Sequence, residues 1–232
     1  MLKSVSIDIK CIKRKGVILT NRNYKMDRIR VTANMLSPIV TGGGYMTLDG
    51  LLGALLFDEL QDVEAAHGAI PIKCKDGLFS ASAAIMEASR DRITFIASLR
   101  PGHSIDPDLI LKNKKGLLHR KFDTSLTNVM NTYTELSANS VTWFAEGDAD
   151  QIIKLVESVQ FIGKRRASGF GRVAGWSIDT DNLDGIEGYF GGPLRPVPAE
   201  MFAGDRSHPV IDAAWRPAYW NPNHRAACFA PE

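Results

Sequence analysis

The chain has 232 residues, 44% of them hydrophobic, which is enough apolar material for one large domain or two small ones and excludes a disordered protein. Its longest apolar run, around 51–57, falls far short of the roughly 20 residues that cross a bilayer, and no signal-peptide pattern opens the chain, so the expected address is cytoplasmic. The formal net charge is only +2, and three cysteines far apart in sequence, Cys11, Cys74 and Cys228, fit neither a disulfide framework nor a CxxC metal clamp, so reduced thiols are expected.

Residues 1–25 form a basic leader in which Val5, Ile7 and Ile9 alternate like a strand. It reads either as an extra edge strand or as an upstream extension of a chain that otherwise starts at Met26, and both readings stand. Over 28–35, Ile29, Val31, Ala33 and Met35 alternate with polar residues at the period of a half-buried strand. Ser37-Pro38 breaks that strand, Gly42, Gly43 and Gly44 force a loop, and Thr47 or Asp49 caps a helix predicted over 48–60. The runs 70–73 and 78–86 flank the turn Asp76-Gly77 and predict a hairpin, and 92–99 reads as a further strand stopped by Pro101-Gly102.

The stretch 107–139 is polar, basic and weakly periodic, which predicts an extended arm outside the core. A short apolar strand follows over 141–145. Asp148 then caps a helix whose apolar face is Ile152, Ile153, Leu155, Val156 and Val159, and 172–178 is the next strand. Strand, helix and strand thus occur twice, over 28–86 and 141–178. The predicted fold is α+β: a ferredoxin-like (RRM-like) antiparallel sheet with helices on one face, spanning 26–192 and carrying the arm as an insertion. Seven of the eleven prolines lie after Gly192, so residues 193–232 are expected to be an extended tail that wraps the domain.

Charge separates along the chain into blocks of one sign. Residues 1–30 are strongly basic, a second basic stretch holds Lys112, Lys114, Lys115, His119, Arg120 and Lys121, and a third holds Lys164, Arg165, Arg166 and Arg172. Acids gather elsewhere, over 58–64, 146–150 and 179–187. Three basic stretches interleaved with Gly, Phe or His are what a polyanion site requires, and they point to nucleic acid.

The strongest motif is the run 161–173, Phe-Ile-Gly-Lys-Arg-Arg-Ala-Ser-Gly-Phe-Gly-Arg-Val, a glycine-rich basic loop between a helix and a strand. Gly163, Gly169 and Gly171 permit positive φ and let the backbone come close to a ligand. Lys164, Arg165, Arg166 and Arg172 add cationic donors, Ser168 adds a hydroxyl, and Phe170 offers a face on which an unpaired base can stack. The loop leads into a strand, whereas a phosphate-binding P-loop ends in GK and Ser or Thr at a helix start, so no ATP or NAD site is expected.

This loop, late in a ferredoxin-like repeat, resembles the signature of the RAMP superfamily of CRISPR-associated proteins, and the segment 38–52 with its Thr-Gly-Gly-Gly-Tyr-Met-Thr-Leu-Asp-Gly run is similar to that superfamily's first strand-to-helix junction. With Ser80-Ala81-Ser82-Ala83-Ala84 and Arg195-Pro196-Val197-Pro198, the chain resembles the Cas-five-like subunit of type IV effector complexes over roughly 26–231; the basic leader departs from that pattern. The resemblance implies a subunit that caps the 5′ handle of the guide RNA and starts a filament of Cas-seven-like backbone subunits. It makes Gly42, Gly43, Gly44 and Tyr45 a second RNA-facing loop and 112–121 the arm that reaches the guide and the first backbone subunit. Arg195 to Pro198 and the stretch 215–223 could then contact a large Cas-eight-like subunit or target DNA, while packing under the tail is the preferred reading for Trp215, Tyr219 and Trp220.

The alternative is a metal-independent endoribonuclease that processes guide precursor, since some relatives in the superfamily cut RNA with a histidine, lysine or tyrosine. Such chemistry needs a base for the 2′-OH, an acid for the leaving oxygen and a cation on the phosphorane. His119 beside Arg120 and Lys121 could supply part of that set, with Tyr45 in the other loop, but His67, His103, His208 and His224 are scattered in expected loops. A non-catalytic holder is therefore the expectation. His224 and Cys228 are the only close His/Cys pair and have no evident partners, so neither metal nor cofactor is expected. A third reading is an RNA-binding ferredoxin-like domain unrelated to CRISPR, which would bind single strands without large assembly faces.

Overall fold

The computed structural model describes residues 25–42, 44–97 and 129–231; the leader, the basic stretch 112–121 and Gly43 lie outside the described residues. In chain order the elements are β1 (Asp27–Met35), β2 (Ile39–Val40), α1 (Leu48–Leu60), α2 (Val63–Gly68), β3 (Cys74–Lys75), β4 (Leu78–Phe79), β5 (Ser89–Ala97) and β6 (Val129–Ser137). They continue with β7 (Ser140–Gly147), α3 (Ala149–Val156), β8 (Val173–Thr180), β9 (Val197–Pro198), β10 (Val210–Ala214) and β11 (Arg225–Phe229). The fold is mixed α and β, built from small antiparallel sheets and few helices.

β1 is the middle strand of the sheet β7-β1-β8. Its alternation explains the position: Ile29, Val31 and Ala33 are buried while Arg28 and Arg30 are exposed on the other face. The register sets Val31 between Trp143 and Ile178, and Ala33 between Val141 and Trp176. Trp143 is fully buried, its indole N–H donates to the Met46 carbonyl at 2.9 Å, and its ring stacks on Trp176 at 5.9 Å. Beyond β7 the segment 72–85 runs irregularly, joined by the single bridges Ile72 to Gly147, Ala81 to Ala145 and Ile85 to Thr142. The predicted hairpin is realised as the short pair β3–β4 about Asp76 (φ 53°) and Gly77 (φ 84°), the two positive φ values that a tight two-residue hairpin turn demands.

The helix predicted over 48–60 forms over those residues, with the Thr47 hydroxyl accepting from Gly50 N–H at 3.3 Å. α3 is capped in the same way by Asp148, whose carboxylate accepts from Gln151 N–H at 3.0 Å. Leu48, Leu52 and Leu56 of α1 and Ile152 and Val156 of α3 are buried against Ile29, Val31 and Trp143. Full burial of each such side chain is worth about 1.5–3 kcal/mol, and this packing holds the helices on the sheet. α2, not anticipated from periodicity, is a single short helix capped by Asp62, and it carries His67, which the sequence placed in a loop.

Two regions differ from expectation. The arm, predicted over 107–139, also takes in β5, the further strand predicted over 92–99: β5 pairs with β6 along its whole length, from Ser89 opposite Ser137 to Ala97 opposite Val129, and β2 flanks β6. The two strands pair over nine positions each and support one another as a two-stranded arm anchored at its base by β2.

The tail is the second departure. It folds into its own sheet, β10-β11-β9, over a small core of Leu78, Val197, Phe202 and Phe229. Pro198 is tolerated because β9 is an edge strand, and Pro209, Pro217 and Pro222 fall between strands.

Arg195, expected at a surface that meets a partner, is instead completely buried. Its guanidinium spans both Asp49 oxygens at 3.3 Å and donates to Phe79 O (2.7 Å), Ala81 O (2.9 Å), Trp215 O (2.8 Å) and the Tyr219 hydroxyl (2.6 Å). The Tyr219 hydroxyl in turn donates to Asp49 at 2.6 Å. Burial opposes the charge on Arg195, yet the Asp49 carboxylate and Tyr219 outweigh it and its pKa is raised. Burial, with the Asp49 charge adding to it, also pushes the Tyr219 phenol far up, against the lowering effect of Arg195, so it stays a donor.

Arg195→Ala leaves the Asp49 carboxylate buried and unpaired, and should cost about 3–5 kcal/mol in a urea titration, more than the double change Arg195→Met with Asp49→Leu. Cys228 reports where the loss occurs. It is buried, and burial followed by the nearby Asp212 pushes its thiol up to about 11. Its labelling by a thiol reagent at pH 8 should therefore be slow in the parent chain and fast in Arg195→Ala. Slow labelling in that variant would mean that the tail sheet stays closed without the ion pair.

Candidate nucleic-acid interface

The glycine loop is a closed hairpin. Phe161 bridges Arg172, Ile162 N–H donates to Gly171 O at 2.9 Å, and a 3-10 turn over Arg166–Ser168 forms its tip. Gly163, Gly169 and Gly171 all take positive φ (80°, 87° and 72°), the conformation their chemistry permits. Two of them serve the loop's own packing. A Cβ on Gly171 would lie 1.8 Å from Ile162 O, and one on Gly163 would lie 2.8 Å from Val40 O, while one on Gly169 would meet nothing.

The loop is sewn to the break after β1. Arg172 O accepts from Leu36 N–H at 2.8 Å, Gly171 N–H donates to Pro38 O at 2.8 Å and Lys164 N–H donates to Val40 O at 2.7 Å. The Ser37 hydroxyl completes the seam, accepting from Arg172 N–H at 2.9 Å and donating to Gly169 O at 2.8 Å. Sequence reasoning read Ser37-Pro38 only as a strand breaker.

The four cations of the loop have different surroundings. Lys164 extends across Gly42, where a Cβ would come within 2.8 Å of its Nζ. It enters a groove of about 460 Å³ lined by Thr41, Gly42, Arg90, Thr132, Tyr133, Thr134, Leu136 and Lys164. The groove brings the first glycine loop and the late one together at the base of the arm. Arg166 borders a separate hollow of about 470 Å³ beside Leu55, Val159 and Phe161, and Arg172 is exposed. Arg165 turns under the arm: its guanidinium carbon lies 4.3 Å from the centre of the Tyr133 ring and 5.0 Å from that of Phe95, and Nη2 donates to the Tyr133 hydroxyl.

Phe170, predicted as a stacking face for a base, sits edge-on to Phe95 at 6.0 Å and is half-buried. Ser168 is exposed on the tip, Gly44 is open, and Tyr45 is exposed next to it. Lys112, Lys114, Lys115, His119, Arg120, Lys121 and Gly43 lie outside the described residues.

Alternation along the arm sorts its charges by face. Arg90 and Arg92 share parity with Thr94, and across the pair with Leu136, Thr134 and Thr132, the face that lines the groove. Asp91 and Glu135 share the opposite parity, with Tyr133. The groove side therefore presents cations and threonine hydroxyls, a donor set suited to phosphate oxygens. Arg90, Tyr133 and Phe95 were missed in the sequence because each sits in a strand whose pairing partner is about forty residues away; the Arg90–Arg92 spacing was the one available signal. The described histidines do not line the groove. His67 lies on α2, and its pKa is lowered, first by burial and further by the positive potential of His224, against Glu64.

A family model described as CRISPR type IV associated protein Csf3 matches residues 108–231, just over half of the chain. The matched part carries β6, β7, α3, the glycine loop, β8 and the tail sheet, and leaves β1 and α1 outside. Comparison with curated proteins gave no match.

The glycines differ in what a methyl group would meet, and this ranks their substitutions. Gly171→Ala should destabilise most, by several kcal/mol, because a backbone carbonyl blocks it; Gly163→Ala should follow. Gly169→Ala should cost only about 1–2 kcal/mol of left-handed strain, since the space beside it is open. Chemical denaturation of the three variants checks the order, and equal losses would show that φ alone sets the cost.

Proposed function

The chain belongs to the family of the CRISPR type IV associated protein Csf3, the Cas-five-like subunit of type IV systems, and on that footing we propose that it is a non-catalytic holder of guide RNA. In this reading it caps the 5′ handle of the guide and anchors Cas-seven-like backbone subunits, with a large Cas-eight-like subunit and target DNA as further contacts. The observation that carries the reading is the groove in which Lys164, Arg90 and the threonine hydroxyls of β6 converge beside Gly42. A single strand needs such a shallow, cationic, hydroxyl-lined track.

We also read the central unit as a ferredoxin-like RAMP core. What supports this is the order β8-β1-β7, the bridges that carry 72–85 along the far side of β7, and the packing of both α1 and α3 into the core of that sheet.

The test is a titration of handle-length RNA against the chain in its assembled complex at several salt concentrations. If Lys164 and Arg90 each neutralise one phosphate, changing both to Gln should flatten the log-log salt slope by about 1.4, so that a fourfold rise in salt costs the variant about sevenfold less affinity than the parent. An unchanged slope would remove the groove from the RNA path. His119→Ala should leave guide length unchanged in cells, and accumulation of unprocessed precursor would restore the nuclease reading.

A further inference from the structure

Arg165 belongs by sequence to the basic run of the glycine loop, yet its side chain leaves the groove that its neighbour Lys164 enters. Its backbone is left-handed (φ 59°, ψ 29°), a conformation that costs a non-glycine residue energy and persists only where the surroundings hold it. The guanidinium lies against two rings of the arm, Tyr133 and Phe95, which are diagonal neighbours on one face of the β5–β6 pair. Those rings meet each other edge-on at 6.0 Å, and Phe170 of the loop closes on the far side of Phe95 at the same distance. The hydrogen bond to the Tyr133 hydroxyl fixes the orientation of the planar group, which a lysine cannot reproduce.

We propose that Arg165 is a positioning residue: with Tyr133, Phe95 and Phe170 it forms a cation-aromatic latch that fixes the arm against the glycine loop and thereby sets the width of the groove, and it takes no phosphate itself. The proposal rests on the reading of the groove as the seat of a single RNA strand, but the latch can be measured without RNA. The geometry makes the link direct. Val40 pairs with Glu135 of the arm on one side and bridges Lys164 of the loop on the other, so arm, floor and loop share one strand.

Hydrogen exchange of the full chain comes first. Arg165→Ala should speed exchange of the β5 and β6 amides roughly tenfold while the amides of β1 and β7 keep their protection, and Arg165→Lys should not restore it. Lys164→Ala, which touches no ring, should leave the arm unchanged. Tyr133→Phe keeps the ring, removes only the hydroxyl and is safe for folding; it should speed arm exchange about threefold. Arm exchange that stays at the parent rate in both Arg165→Ala and Tyr133→Phe overturns the latch.

RNA titration in the assembled complex follows. Arg165→Ala should weaken binding without changing the salt slope, and the double change with Tyr133→Ala should weaken it no further than either single change does. A slope that falls by about 0.7 in Arg165→Ala would make Arg165 a phosphate ligand and overturn its assignment as a positioning residue. If the parent complex binds no handle RNA, the holder reading fails, while the exchange result still decides the latch.

Discussion

A guanidinium with no exposed surface cannot stay charged unless its N–H groups are answered, and Arg195 finds partners for Nη1 and Nη2, though none for Nε, by gathering three separate parts of the chain. Asp49 comes from the first turn of α1, Phe79 and Ala81 from the strap beside β7, and Trp215 and Tyr219 from the tail. The helix N-terminus favours the carboxylate at Asp49, so the acidic partner is stabilised from two sides. Gly50, next in sequence, lets the tail come close: a Cβ there would lie 3.0 Å from the Tyr219 ring. An ion pair of this kind adds little net stability over a well-packed apolar substitute, but moving one partner away leaves a buried charge unanswered. It therefore specifies where the tail sheet sits, and through Phe79 and Ala81 it holds the irregular strap along β7.

Local signals in the sequence transferred well to the structure where the chemistry was local. Thr47 caps α1, Asp148 caps α3, Asp76 and Gly77 turn the short hairpin, and the three loop glycines take positive φ, all within a few residues of the pattern that announced them. What could not be read was pairing at a distance. Asp49 and Arg195 are separated by 146 positions, and Arg195 sits in an Arg-Pro-Val-Pro run that looks exposed because long cations rarely go inside. Nothing local to β5 says that its partner is β6, about forty residues further on. The tail looked extended because prolines exclude long central strands; they do not exclude short strands of two to five residues set between them.

Charge shows the same limit in another form. Blocks of one sign along the chain suggest patches of one sign on the surface, and the run Lys164-Arg165-Arg166 reads as a single set of donors. In the fold these three neighbours face a groove, an aromatic pair and a separate hollow. The useful segregation comes instead from the pleat of the arm, which turns Arg90 and Arg92 to one face and Asp91 and Glu135 to the other although all four are close in the ladder.

The position of β2 decides how these parts act together. Ile39 and Val40 are fully buried, pair with Leu136 and Glu135 of the arm, and through Val40 bridge the glycine loop at Lys164. Leu136 packs against the main core, so the base of the arm is anchored there. The placing of the arm on that base fixes the separation between Thr132 and Thr134 on one wall and Lys164 on the other. Charge on Lys164 and Arg90 supplies attraction to a polyanion, but attraction is indifferent to register. If a single strand lies in the groove as proposed, its register depends on that separation, and the contacts that place the arm then matter as much as the cations that face the groove.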